Sequence, residues 1–92
     1  MNADELKGLI EGLEMDESLI LIDKEGGRIV VQLCARGWLF KCGNMCTYAD
    51  SIEKSTPLSY GLFLYHESPA GSVKVGSIRR TDELTYQVER IM

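Results

Sequence analysis

The chain has 92 residues, of which 45% are hydrophobic and 26% charged, and its formal net charge at pH 7 is −4. This length predicts a single domain spanning residues 1–92, and the composition is typical of a folded chain rather than a disordered one. The negative charge disfavours a protein that holds nucleic acid on a broad basic face, and no apolar run approaches the roughly 20 residues of a membrane-spanning helix.

The negative charge is concentrated near the N-terminus. Residues 1–25 contain eight carboxylates against Lys7 and Lys24, a net charge of −6, whereas residues 26–92 contain six carboxylates and eight basic residues, a net of +2. An acidic segment steers association towards a basic partner. The acidic start also differs from a signal peptide, and three cysteines cannot all pair internally, so we expect a cytoplasmic protein that has free thiols and no membrane partner.

The first predicted element is a helix. Asn2 has the side chain of a helix cap, and Glu5, three residues later, completes a capping box. Apolar residues follow at the spacing of one helical stripe: Leu6, Leu9, Ile10 and Leu13.

A second face of this helix has little side-chain bulk. At about 100° per residue, Gly8 and Gly12 fall roughly opposite the leucine stripe, and Met15 joins them. One interpretation is a surface that another chain can approach closely, and that chain could be a second copy, which would give a homodimer. The other is a weak helix held only by its core face, because each glycine costs about 1 kcal/mol against alanine.

A β-hairpin follows the helix. The continuous apolar run in residues 18–23 predicts a strand buried on both faces, and residues 28–36 alternate as a second strand. Turn chemistry at residues 24–27 predicts a loop of two or four residues, which places Ile22 opposite Ile29.

The middle of the chain has weaker patterns. Gly37 interrupts the alternation and predicts one long strand with a sharp bend, which ends at residues 43–44. Residues 43–59 have no clear period, and such long segments are usually functional or contain a short element. Asp50 could cap a single helical turn over residues 51–54.

Strands resume from Tyr60. The sequence at residues 68–71 is typical of a type I turn, and Val73 begins the next strand. The chain reverses again at residues 81–84. Residues 82–92 then form either a strand on the preceding one, favoured by their β-propensity, or a terminal helix.

Together these elements predict the α+β class. We expect an N-terminal helix packed on a curved antiparallel meander of five to six strands, either an open sheet or a partly closed barrel.

The residue types present allow two kinds of chemistry, zinc binding and catalysis by a thiol. Cys42 and Cys46 have a spacing found in zinc sites, and Cys34 and His66 could complete a ligand set or supply a thiol with a base. No second pair of ligands accompanies them, so unliganded thiols are the preferred interpretation. We therefore expect no metal, no cofactor and no enzymatic activity.

Binding to nucleic acid is the third possibility. Arg79, Arg80 and Arg90 could collect with Lys74 on the last hairpin, and Trp38 or Phe40 could stack on bases. The alternative is that these charges are scattered over the surface.

The preferred hypothesis is a small interaction or inhibitor module that occupies the surface of another protein. Aromatic side chains dominate the energetics of interfaces. Candidate contacts flank the long middle segment and lie on the acidic helix: Trp38, Met45, Tyr48, Tyr60, Glu11 and Glu14, together with Gly8, Gly12 and Met15.

Overall fold

The computed structural model describes residues 1–55 and 61–90, in which the chain forms one α-helix and eight antiparallel strands. The helix lies first in the chain, and all strands follow it. The elements are α1 (Ala3–Glu11), β1 (Glu17–Ile22), β2 (Arg28–Cys34), β3 (Gly37–Cys42), β4 (Met45–Ala49), β5 (Ser51–Lys54), β6 (Gly61–Ser68), β7 (Gly71–Arg79) and β8 (Thr85–Arg90), with a one-turn 3-10 helix at Thr81–Glu83.

The strands form two sheets, of five strands in the order β4-β3-β2-β1-β8 and of three strands in the order β5-β6-β7. The chain enters the second sheet at Asp50 and returns through the 3-10 helix. The predicted α+β class, with a helix packed on antiparallel strands, is confirmed. There are eight strands rather than five or six, and the described strands do not close into a barrel.

The helix begins as its sequence predicts. The backbone N–H of Glu5 donates to Asn2 Oδ1 at 2.8 Å, and the Glu5 carboxylate accepts from the Asn2 N–H in return. Leu6 and Ile10 are fully buried. The helix ends at Glu11, two residues before the end of the predicted stripe at Leu13, although Leu13 itself is buried.

The core lies between the two sheets and under α1. It contains buried side chains from the helix and from the inner faces of both sheets, so every layer contributes to one cluster. Its members are Ala3, Leu6, Ile10, Leu13, Leu19, Leu21, Val31, Phe40, Ala49, Ile52, Leu62, Leu64 and Ile78.

The first hairpin has the predicted strands but a different register. Leu21, rather than Ile22, lies opposite Ile29, so the predicted pairing is wrong by one residue. Asp23 causes the shift: its N–H donates to Gly27 O at 2.9 Å, and its Oδ1 accepts from the Gly27 N–H at 2.7 Å. These bonds close a three-residue loop in which Gly26 has φ +86°, a left-handed conformation that glycine adopts without strain.

The single bent strand predicted around Gly37 is wrong. Cys34 lies opposite Gly37, so the chain reverses tightly over residues 35–36 and separates β2 from β3. Gly37 has φ +123°, and a Cβ there would collide with the carbonyl oxygen of Ala49. The glycine therefore marks a reversal with a close backbone approach.

The helical turn predicted at residues 51–54 is also wrong. These residues form β5, in which Ile52 is buried opposite Leu64. Pairing with β6 overrides the local capping signal, because capping propensity is worth only about 1 kcal/mol. Tyr60, the predicted start of the next strand, lies outside the described residues.

The C-terminal half matches the prediction in its elements but not in its last pairing. The turn between β6 and β7 lies at residues 69–70, and residues 85–90 form a strand rather than a helix. This strand pairs with β1, however, and not with β7. Arg80, with φ +55°, and the 3-10 helix direct the chain across to the other sheet.

Candidate protein interface

The five-stranded sheet has one face that does not contribute to the core. Leu19, Val31 and Phe40 lie opposite one another on the inner face. Because successive side chains alternate, the neighbouring row points the other way. We call this second side the open face, since none of its side chains belongs to the core cluster or packs against it. Its apolar members are Ile20, Ile22, Val30, Leu39 and Tyr48.

The open face combines these apolar side chains with polar ones, which include Ser18, Gln32 and Gln87. Solvent-facing sides of antiparallel sheets commonly carry polar residues, so the apolar members are the part that needs explanation. Tyr48 lies opposite Leu39, and Val30 lies opposite Ile20. Between these two pairs, Val30 and Leu39 are diagonal neighbours, because their direct partners are Lys41 and Gln32, so the apolar side chains form an interrupted patch across four strands. Ile20 is only 8% exposed although it lies outside the core cluster, whereas Tyr48 is 47% exposed. Large exposed apolar patches rimmed by polar residues commonly serve as protein interfaces.

Two basic residues lie beside this patch. Lys41 is opposite Val30 and Arg28 is opposite Ile22, so both share the open face. Both are exposed, and neither forms an ion pair with a carboxylate in the described part of the chain. A complementary surface would therefore combine apolar residues with carboxylates.

Of the predicted contacts, Tyr48 and Met45 lie on opposite faces of β4. Tyr48 is on the open face, whereas Met45, 71% exposed, lies opposite Cys42 on the inner side. Met45 and Cys42 stand at a groove of about 240 Å³ between the two sheets, which is otherwise lined mainly by apolar residues: Ile29, Phe40, Leu64, Val75 and Ile78. This volume is below the roughly 300 Å³ at which small-molecule sites usually begin.

Trp38 anchors the helix. Its indole Nε1 donates to Ile10 O at 3.1 Å, and the half-buried ring packs against the core cluster. This arrangement gives Trp38 a structural role in joining α1 to β3. Tyr60, the remaining aromatic candidate, lies outside the described residues.

The low-bulk helical face is only partly formed. A Cβ on Gly8 would meet no atom within 4 Å, so this position is open. Gly12 caps the C-terminus of α1, and its N–H donates to Gly8 O at 3.0 Å. Met15 is exposed in the turn beyond the helix, so the prediction that it continues the glycine face is wrong.

The acidic N-terminal quarter is partly paired within the chain. Arg90 Nη1 donates to Asp16 at 2.8 Å, and Glu14 and Glu17 lie 3.9 Å from the same guanidinium. The hydrogen bond with Asp16, followed by the charges of all three carboxylates, raises the pKa of Arg90. Glu11 is exposed at the end of α1.

The basic residues considered for nucleic-acid binding are separated. Arg79 and Arg80 lie where β7 ends, whereas Arg90 lies at the far end of β8, about 17 Å along that strand from its start. Lys74 lies over the ring of Phe63, with 3.7 Å between Nζ and the ring centroid.

The thiols and the histidine are also in different places. Cys42 and Cys46 point to opposite faces of the sheet, because Cys42 pairs with Met45 and Cys46 is the next residue along β4. His66 Nδ1 is 2.9 Å from Asp50 Oδ2. Within residues 1–55 and 61–90, no three or more His, Cys, Asp or Glu side chains cluster as metal ligands would.

No protein-family model matches the chain. No curated protein and no solved structure matches it significantly either. Within the described residues, the structure contains no helix of the length and apolar character needed to cross a membrane.

Sequence reasoning identified Tyr48 but missed the rest of the open face. The signal was present in the run at residues 19–22, since a strand apolar in both phases must place Ile20 on a second surface. The same phase continues with Val30 and Leu39, but their alignment with Ile20 depends on the hairpin registers.

Proposed function

We propose that this protein is a small interaction module of the inhibitor type, which binds another protein and acts by covering its surface, without catalysis. The observation that carries the proposal is the apolar open face of the five-stranded sheet, centred on Leu39 and Val30. Ordering this face costs little on binding, because its side chains already sit on a paired sheet. The small volume of the inter-sheet groove is consistent with a role other than chemistry on an enclosed substrate.

The partner surface that fits best is apolar with carboxylates near its edge. Arg28 and Lys41 supply the complementary charge beside the patch. A basic partner attracted by the acidic N-terminal quarter is the alternative. Internal pairing of Asp16 with Arg90 and of Asp4 with Lys54 weakens that attraction. It leaves Glu11 and Glu25 as exposed carboxylates with no ion pair in the described part of the chain.

We place the module in the cytoplasm. Cys42 and Cys46 are exposed free thiols, and Cys34 is half-buried and unpaired. Reducing compartments keep such thiols free, which supports this location.

Tyr48 and Met45 provide a matched pair of variants for testing the proposal. Both are exposed residues of β4, but they lie on opposite faces. The tagged protein captures partners from a lysate of its source, and the affinity of each purified partner is then measured by calorimetry. We expect Tyr48→Ala to weaken binding by about tenfold or more, as for an aromatic residue central to an interface. Met45→Ala should leave the affinity unchanged.

The opposite ranking, with Met45→Ala weakening binding and Tyr48→Ala leaving it intact, would assign the interface to the groove and overturn the open-face proposal. Charge reversal then distinguishes the two kinds of partner. Lys41→Glu should weaken binding to an acidic surface, whereas Glu11→Lys should weaken binding to a basic one. If the captured partner binds all four variants equally well, the proposal fails.

A further inference from the structure

Among the strands of residues 1–55 and 61–90, β8 forms an edge of the five-stranded sheet. It pairs with β1 on one side, and all six of its residues are exposed. Tyr86 and Val88 are 51% and 43% exposed on the same side of the sheet. An edge strand presents unpaired backbone groups that can recruit another strand.

The hairpin geometry determines which backbone groups of β8 are used by β1. The N–H of Asp23 donates to Gly27 O, so the backbone N–H and C=O groups of Asp23 point towards β2. Along an antiparallel strand this direction alternates from one residue to the next. Ile22 therefore directs its backbone towards β8, where its partner is Thr85.

The same alternation assigns the rest of β8. Gln87 and Glu89, like Thr85, direct their backbone groups to β1. Tyr86, Val88 and Arg90 then direct theirs to the side away from β1, which we call the free edge.

From Thr85 to Val88, β8 lacks the features that usually block strand addition. Proline, lysine and bulges protect natural edges. The sequence of β8 contains neither proline nor lysine, and its pairing with β1 has no shift in register. Charge appears only at its end, in Glu89 and Arg90.

We propose that β8 pairs with β8 of a second copy of this chain, antiparallel about a two-fold axis at Val88. The two five-stranded sheets would then form one continuous ten-stranded sheet. In this register Val88 lies opposite Val88 of the partner subunit, Tyr86 lies opposite Arg90 of the partner subunit, and Gln87 lies opposite Glu89 of the partner subunit.

This register suits both the backbone and the side chains. The three free-edge residues face one another in three opposed pairs, which exchange about six backbone hydrogen bonds. Tyr86 meets the side chain of Arg90 of the partner subunit, whose methylene stem can cover the ring while its guanidinium keeps the bond to Asp16. Gln87 meets a carboxylate that can accept its amide N–H in place of Glu89 of its own chain.

Other registers are less favourable. A shift of one residue would place Gln87 opposite Val88 and turn the apolar side of one strand towards the polar side of the other. A shift of two residues, with Tyr86 opposite Val88, would leave Arg90 outside the pairing. The proposed register is therefore the one that uses the whole free edge.

Sedimentation velocity of the full chain tests the proposal over concentrations from about 1 μM to about 1 mM, since a pairing of short strands is at the low end of interface size. We expect the mass to rise from the 10.3 kDa of one chain to twice that value. Val88→Lys should weaken association by about tenfold or more, because it sets two like charges together at the axis.

Gln87→Lys is the matched control, since it introduces the same charge at the neighbouring position. Opposite Glu89 of the partner subunit, this lysine should preserve or strengthen the dimer. A monomer at all concentrations, or a dimer that Val88→Lys does not weaken, would overturn the proposal. Tyr48→Ala should leave the mass unchanged, which separates this interface from the open face.

Disulfide trapping tests the register even if Val88→Lys fails to fold. Cys34, Cys42 and Cys46 are first replaced by serine, so that an introduced cysteine is the only thiol. Val88→Cys should then form a covalent dimer under mild oxidation, because the opposed Cα atoms would lie about 5.5 Å apart, within the range for a disulfide. Gln87→Cys should not. Equal trapping of both variants, or trapping of Gln87→Cys alone, would overturn the register.

Discussion

Substituting Gly37 by alanine tests how closely the end of β4 is held against the turn between β2 and β3. The φ of Gly37 is +123°, and an added Cβ would overlap the Ala49 carbonyl oxygen and lie 3.3 Å from Asp50 Oδ1. Gly71 is a matched control, because it has the same φ of +123° but no atom within 4 Å of the corresponding Cβ position. Both glycines close tight turns, opposite Cys34 and Ser68.

The two positions separate backbone strain from steric overlap. Alanine at either site adopts a conformation unfavourable for a residue with a Cβ, at about 1–3 kcal/mol. At Gly37 the overlap also forces a backbone to move, which adds about 1–3 kcal/mol, as in other overpacked sites. We therefore expect Gly37→Ala to lower the free energy of unfolding by about 2–6 kcal/mol and Gly71→Ala by about 1–3 kcal/mol.

Urea denaturation followed by circular dichroism measures both losses, and thermal unfolding provides a second scale of about 4–8 °C per kcal/mol for a domain of this size. The total free energy of unfolding of small domains is about 5–15 kcal/mol, so Gly37→Ala should remove a large fraction of it. Equal losses at the two sites would show that the backbone near Ala49 yields easily and would refute the reasoning.

Two further predictions concern side chains that join distant elements. Trp38→Phe keeps a ring in place but removes the donor to Ile10 O, so it should cost about 1–2 kcal/mol in urea denaturation; an unchanged midpoint would contradict the anchoring role. Arg90→Ala should lower stability slightly at low salt and have no effect at about 1 M salt, because its ion pairs are exposed. Since hydrogen bonding to Asp16 raises the pKa of Arg90, its contribution is fully present below the ordinary arginine pKa and is lost only as the pH rises through the raised value; an effect that varies between about pH 6 and pH 9 would contradict this.

The features that could be predicted from the sequence are those set by neighbouring residues. Asn2 and Glu5 specify the start of α1 through two reciprocal bonds that need no other part of the chain. The turn at residues 68–71 likewise depends on local conformational preferences. The burial of β1 on both faces follows from its composition. The identity of its two neighbouring strands, β2 and β8, does not.

The features that could not be predicted depend on tertiary contacts. The register of the first hairpin differs from the predicted one because the Asp23 side chain closes a loop of three residues. The pattern of apolar residues does not reveal the length of this loop. β4 and β5 have little periodicity of their own, since the chain changes sheet at Asp50. Tyr48 could be predicted as an exposed contact, but its place beside Leu39 required the register of β3 with β4.

The position of β1 has a consequence for how the chain folds. Its pairing with β2 needs only a short loop, whereas its pairing with β8, for example of Leu21 with Tyr86, joins residues that are far apart in the sequence. Non-local pairings of this kind form late, because their loop entropy must be overcome first. Until β8 arrives, the most apolar segment of the protein, residues 19–22, is itself an unprotected edge. Partly folded chains in which β8 is not yet paired should therefore be the species most prone to aggregate. The rate at which β8 pairs with β1 should determine the lifetime of these species.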